Sequence, residues 1–313
     1  MKPASTQSAI VAIGIGTLLA AALVAFGTAV VQNYGWAVFG AAPLVCGTLV
    51  GLVYAWGTKP RVASLAGIAS IAGTVALFTL LLLGQEGLIC IIMALPIVLP
   101  LYVIGGICAW SLLHLSRSDR ARNLCVLFGI GLTPLWMGLE GRIHNPTEIA
   151  VRTAVSIDAE PAIVWREVIA FTPIPEPREW WFRAGIAYPT HAEIRGSGVG
   201  AVRLCHFSTG AFVEPITVWE ENELLAFDVA EQPLPMIEIS PWDIHPPHLD
   251  SAVRSQRGMF ELERTADGHT RLTGTTWITV HMMPHAYWSA VTAWIVHRIH
   301  LRVLHHIQRN AEA

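Results

Sequence analysis

A chain of 313 residues that is 53% hydrophobic and only 14% charged is too apolar for one ordinary soluble domain, so a membrane-embedded portion is implied. Its net charge of -3, with no basic stripe to neutralise phosphates, argues against a nucleic-acid partner. The charge is also unevenly placed: no Asp, Glu, Lys or Arg stands between Lys2 and Lys59, Glu86 is the only one from Val62 to Ser116, and beyond Leu124 come 14 arginines and 21 acids.

Apolar runs cover residues 9–31, 36–56, 62–83 and 88–113, each long enough for the about 20 helical residues that cross a bilayer. A fifth run, 124–139, has 16 residues and carries Pro134, which fits a short kinked span or an interfacial segment; we count it as a span. The first run is too long, and preceded by too few charges, for a cleaved signal peptide, and reads as a retained anchor. Lys2, the pair Lys59 and Arg61, and the trio Arg117, Arg120 and Arg122 fall in alternate connections. Cytoplasmic loops retain such charges, so the N-terminus is expected inside a bacterial-type plasma membrane. Five spans then put the C-terminal region on the outer, periplasmic side, whereas four would leave it in the cytoplasm. Gly and other small residues recur in the spans and permit close helix packing, while the scarcity of ionisable groups there argues against an ion-coupled transporter.

The expected organisation is a helical membrane region at 1–140 and a second domain at 148–313. In the latter, IAVRTAVSI alternates as a strand, and AEPAIVWREVIAF follows as a short helix with Pro161 in its first turn. After the bend TPIPEP comes EWWFRAGI, a second short helix. HAEIR, AVRLCHF, AFVEPITVW, LLAFDVA, MFELER and TRLTGTTWITV then read as strands, joined by turns rich in Gly, Asn and Asp. Residues after Pro284 form one long helix. The fold class is therefore a membrane α-helical bundle plus an α+β domain, in which a curved antiparallel sheet of about seven strands is covered by a long helix with an apolar space beneath it.

IDAEPAIVWREVI, GVGAVR, EPITVWEENELLAFDV and HTRLTGTTW, followed by a terminal helix, resemble in order and separation the landmarks of the START-like superfamily, also called SRPBCC or polyketide cyclase/dehydrase-like. The resemblance covers about half of the chain, from Ile149 on. It implies a helix-grip fold with a hydrophobic cavity for a lipid or polyketide-like molecule, and it implies no single reaction. The chain departs from that pattern in its apolar front half and in QPLPMIEISPWDIHPPHLDSAVRS, residues 232–255, which reads as an irregular loop over the cavity mouth or against the membrane.

Four histidines lie in the last helix, at 297, 300, 305 and 306. On a helical wheel His297 and His300 face inward, while His305 and His306 flank a stripe of Arg298, Arg302 and Arg309, so the four cannot form one site. No metal or other cofactor is assigned; the histidines that a metal site would draw on are His245, His248, His297 and His300. Candidate acid–base groups are His206, Glu214 and His297, with pairing of Glu214 to Arg203 or Arg257 as the structural alternative. Trp180, Trp181, Arg203, Phe212, Trp242, Trp277, His297 and His300 are the candidate ligand contacts. The lone Cys205 reads as a core residue, and P-loop, HExxH and GxSxG motifs do not occur. The leading expectation is a membrane-anchored binder of a hydrophobic small molecule, with the bilayer and that molecule as its partners. A membrane-tethered cyclase or dehydratase and a ligand sensor coupled to the spans are the alternatives, and catalysis is left open.

Overall fold

The computed structural model describes residues 5–116, 118–143 and 146–313; Lys2 and Arg117, used above for orientation, lie outside them. The chain forms two compact units. The first comprises Met1–Asn145 with Glu238–His248 and Met282–Pro284, and the second Pro146–Ile237, Leu249–His281 and His285–Ala313.

The long uncharged runs of the first unit fold as helices, which pair the backbone within each segment. These are α1 (Thr6–Ala25), continued by a π-helical turn to Val30, α2 (Ala42–Tyr54), preceded by a π-helical turn from Ala37, α3 (Val62–Leu82), α4 (Leu88–Leu115) and α5 (Asp119–Ile143). All five are long and apolar enough to cross a membrane. The fifth corrects the sequence reading: it runs for 25 residues, because its polar ends, Asp119 at the start and Arg142 in the last turn, match the helix dipole, and Pro134 is accommodated inside it. Glu140 of α5 is buried and accepts from Trp36 N (2.6 Å) and Ala37 N (3.1 Å), placing a carboxylate at the N-terminus that opens the second apolar helix. Large apolar side chains point outward, among them Leu18 (74% exposed), Phe78 (58%) and Phe128 (67%), a surface unsuited to water.

In the second unit, alternating segments pair into a seven-stranded antiparallel sheet of order β1-β7-β6-β5-β4-β3-β2. The strands are β1 (Thr147–Ile157), β2 (Pro189–Arg195), β3 (Val202–Phe207), β4 (Gly210–Glu220), β5 (Leu224–Asp228), β6 (Val253–Arg264) and β7 (Thr270–Val280). Bulges at Ile216/Val218 and Ser255/Arg257 break the register, and such breaks bend a sheet. Two short helices, α6 (Pro161–Ile169) and α7 (Trp180–Arg183), follow β1; a four-residue helix α8 (His248–Ser251) precedes β6; and α9 (His285–Ala311) packs against β1, β7, β2 and α6. This is the helix-grip architecture. Its core includes Trp165, Ile216, Leu225, Leu272, Leu304 and Ile307.

Three local readings change. The segment EWWFRAGI is helical only over α7, because Gly185 takes a φ of 115° that ends it. Strand β6 begins at Val253 rather than Met259, since the polar stretch Val253–Gly258 still pairs with β7 and turns its charged residues outward. His306, expected outside beside the arginines, is buried at 5% exposure. The Pro-rich bend folds over that face of α9: His306 Nε2 meets Thr172 O (3.0 Å), and Arg302 donates to Pro175 O (2.6 Å) and Pro189 O (3.1 Å).

Candidate functional site

The site is built by the inner faces of β3, β4, β5, β6 and β7 beneath α9. A cavity of about 120 Å³ lies there, with Cys205, Phe207, Phe212, Phe227 and Phe260 from the sheet and Val296, Ile299, Val303 and Leu304 from α9 in its wall. Gly274 adds room, because a Cβ there would stand 3.5 Å from the Phe260 ring and 3.8 Å from Leu304. The volume is near the ~150 Å³ of a dry engineered cavity that accepts benzene, and well under the ~300 Å³ at which drug-sized pockets begin. It suits one ring or a short branch of a larger molecule.

Strand alternation places two opposite charges in this apolar wall. Arg203 on β3 and Glu214 on β4 are register partners, 1% and 5% exposed, and form a buried ion pair through Arg203 Nη1 and Glu214 Oε2. Arg203 Nε also donates to Ile169 O at 3.2 Å, and its guanidinium sits 5.5–5.8 Å from the ring centres of Phe171, Phe227 and Phe260. Burial pushes the Glu214 carboxyl above its usual range, and the Arg203 charge opposes that rise. The neighbouring Cys205 thiol is pushed up to about 12 by burial, which makes it inert as a nucleophile. Two buried atoms of cavity-lining residues, Arg203 Nη2 and Thr275 Oγ1, have no hydrogen-bond partner. A ligand oxygen reaching either atom would satisfy it.

His300 supplies a third polar point. Its Nε2 lies 2.8 Å from Thr276 Oγ1 and its Nδ1 3.2 Å from Thr153 Oγ1. Burial lowers its pKa to about 4, so the ring is neutral at pH 7. His297 shares the same threonine, with Nδ1 2.7 Å from Thr153 Oγ1, and is not part of the cavity wall. The inward pair from the helical wheel therefore meets in one threonine-bridged network.

Of the other sequence candidates, Arg203, Phe212, Glu214 and His300 line the cavity. His206 does not: alternation with Cys205 and Phe207 turns it to the opposite face, where it stacks on His191 at 4.2 Å and lies 3.7 Å from Glu193. Trp277 carries the Arg257 guanidinium 4.6 Å over its ring, and Arg257 also pairs with Glu148. Trp181 packs against Trp294 at 5.3 Å, and Trp180 is 64% exposed; neither is in the wall. Trp242, His245 and His248 belong to the first unit, and His297 and His300 to the second. Sequence reasoning missed Phe227, Phe260 and Thr275. The runs LLAFDV and TRLTGTTW held the signal, since inward positions of a gripped sheet alternate with outward ones.

No protein-family model matches the sequence, and no curated protein matches it. Among solved structures, the chain is similar to truncated norcoclaurine synthase from Thalictrum flavum (12% identity, 53% of this chain and 94% of that one, TM-score 0.34). It is similar also to the di-domain ARO/CYC protein BexL (12% identity, 62% and 59%, TM-score 0.36) and to the Aha1 dimer from Colwellia psychrerythraea (16% identity, 52% and 96%, TM-score 0.28).

Proposed function

We propose that the chain is an integral membrane protein whose START-like domain, residues 148–313, binds a compact apolar molecule bearing an acceptor oxygen. The observation that carries this reading is the apolar cavity in whose wall Arg203 keeps a buried, unpartnered Nη2. A carbonyl or similar oxygen would take that donor, and the phenylalanines and α9 would cover the rest. Such a group belongs equally to a small free metabolite and to one end of a lipid or polyketide-like molecule.

The test uses the full-length chain in lipid nanodiscs and equilibrium dialysis of acetophenone against α-methylstyrene, its near-isostere without the carbonyl. Acetophenone is expected to bind about tenfold more tightly, the worth of one hydrogen bond to a charged donor. Ile299→Trp, which fills the cavity from α9, should abolish both signals. Equal binding of the two probes, or binding that survives Ile299→Trp, would overturn the reading.

The outward apolar side chains of the five helices and the alternation of basic connections support a membrane-spanning region with the N-terminus in the cytoplasm and the START-like domain on the outer side. Alkaline phosphatase fused after Ile149 is expected to be active, as it folds only outside the cytoplasm. An inactive fusion beside an active one after Glu86 would reverse the placement.

A further inference from the structure

Within the first unit, the turn between α3 and α4 meets the segment Glu238–His248. Leu88 N donates to Ile239 O at 2.9 Å, and the Trp242 indole donates to Leu82 O at 2.7 Å, which fastens the segment to the facing ends of both helices. Glu238 fits closely against Gly87 and takes the space that a side chain there would fill. The result is a cluster assembled from residues far apart in sequence. Cys90, in the first turn of α4, has its sulfur 3.0 Å from His248 Nε2 and in contact with Glu238 Oε1. His248 Nδ1 lies 3.6 Å from Glu86 Oε2, and the Tyr34 hydroxyl donates to Glu86 Oε1 at 3.2 Å.

The donor set is that of a metal centre. One ligating atom each from Glu86, Cys90 and His248 falls within 4.8 Å of the other two. Glu86 is 9% exposed and His248 7%, and both His248 Nδ1 and Glu238 Oε2 are buried without a hydrogen-bond partner. No cation balances the acids: neither Lys nor Arg occurs between Arg61 and Arg117 or between Arg203 and Arg254, and among the described residues neither Glu86 nor Glu238 pairs with one. The buried Glu86 and the half-buried Glu238 beside a thiol are costly in that setting, and a dication offsets one thiolate and one carboxylate at once.

We propose that Glu86, Cys90 and His248 bind a divalent transition metal of the zinc class, with Glu238 beside the Cys90 sulfur as the fourth donor. Thiolate, imidazole and carboxylate together suit zinc and its neighbours far better than magnesium or calcium, which take oxygen donors. Bond lengths of about 2.0–2.3 Å put tetrahedral donors roughly 3.3–3.8 Å apart, so the cluster closes on the ion by side-chain shifts of about 1 Å. Tyr34, bonded to Glu86, holds that carboxylate in orientation, as outer partners of metal ligands do. The bound ion would pin the Glu238–His248 segment to the α3–α4 turn.

The experiment is a titration of the untagged full-length protein, in detergent and without chelators, with cobalt(II) alone as the probe. About one equivalent is expected to bind with a thiolate-to-cobalt charge-transfer absorption, and zinc should displace it. Cys90→Ser should remove that absorption, and His248→Ala should weaken binding at least roughly tenfold. The charge-transfer band would separate Cys90 from the other four cysteines, since a band surviving in Cys90→Ser comes from elsewhere and overturns the assignment. Less than about a tenth of an equivalent bound by the parent protein would overturn it as well. If His248→Ala fails to fold, the Cys90→Ser spectrum decides alone, its folding checked by an unchanged thermal midpoint in metal-free buffer.

Discussion

Replacing Arg203 by methionine is expected to destabilise the helix-grip domain by about 3–5 kcal/mol, because it strands Glu214 in an apolar wall with no partner. Burial already pushes the Glu214 carboxyl upward against the pull of the arginine, and removing Arg203 takes away that opposing pull, so the carboxyl is pushed further up. The double replacement Arg203→Met/Glu214→Leu should recover most of that loss, since apolar side chains of similar volume often match or exceed a buried ion pair in stability. The three phenylalanine rings around Arg203 would then face methionine, a flexible filler of such gaps. What the double variant should not recover is the preference for acetophenone. Thermal unfolding and dialysis on the same samples separate these results: a double variant that keeps the preference would show that the pair serves stability alone.

The opposition of Arg203 to Glu214 was legible as one of two pairings, because both lie on neighbouring strands and a buried acid needs a partner. Periodicity could not say that the pair sits in the cavity wall with a donor to spare. That depends on which strand face is inward and on where Phe171, from outside the sheet, closes over the guanidinium. The same limit explains His206: its neighbours Cys205 and Phe207 took the inward positions, and side chains on a strand alternate. His306 misled because the wheel describes one helix in isolation, whereas the Pro-rich bend covers that face. Glu86 stood out in the sequence as the only charge of a long apolar stretch, and His248 as part of IHPPH, yet nothing local joined them to Cys90 across some 160 residues. Such a meeting is set by tertiary packing, and spacing rules detect only ligands that share an element.

In the helical bundle, Gly105→Leu is expected to cost more than any change on the outer face of the helices. A Cβ on Gly105 would stand 2.5 Å from Leu44 O and 2.7 Å from Thr48 N, both backbone atoms of α2 that cannot swing aside. A Cβ on Gly47, in α2, would stand 2.9 Å from Tyr102 Cα, and one on Gly106 would stand 2.6 Å from Leu65 O of α3. Three helices thus cross backbone to backbone at glycines, the close approach by which helices associate where lipid removes the hydrophobic drive between them. Leucine at 105 or 47 must push α4 off α2, at a cost of about 3 kcal/mol or more, at or above the upper end for overpacked interiors. Gly67 and Gly131 provide the contrast, since a Cβ at either meets nothing within 4 Å and both positions are exposed. Leucine there should be neutral or stabilising by up to about 1 kcal/mol, because it removes the helix penalty of glycine. Size-exclusion profiles and thermal unfolding in detergent would show Gly105→Leu and Gly47→Leu aggregated or melting far earlier, with Gly67→Leu and Gly131→Leu unchanged. Equal behaviour of all four would mean that α2 and α4 do not pack as described. Hydropathy alone treats the four glycines alike, since each is a small residue in an apolar run; only the facing backbone distinguishes a crossing point from a residue on the outer surface.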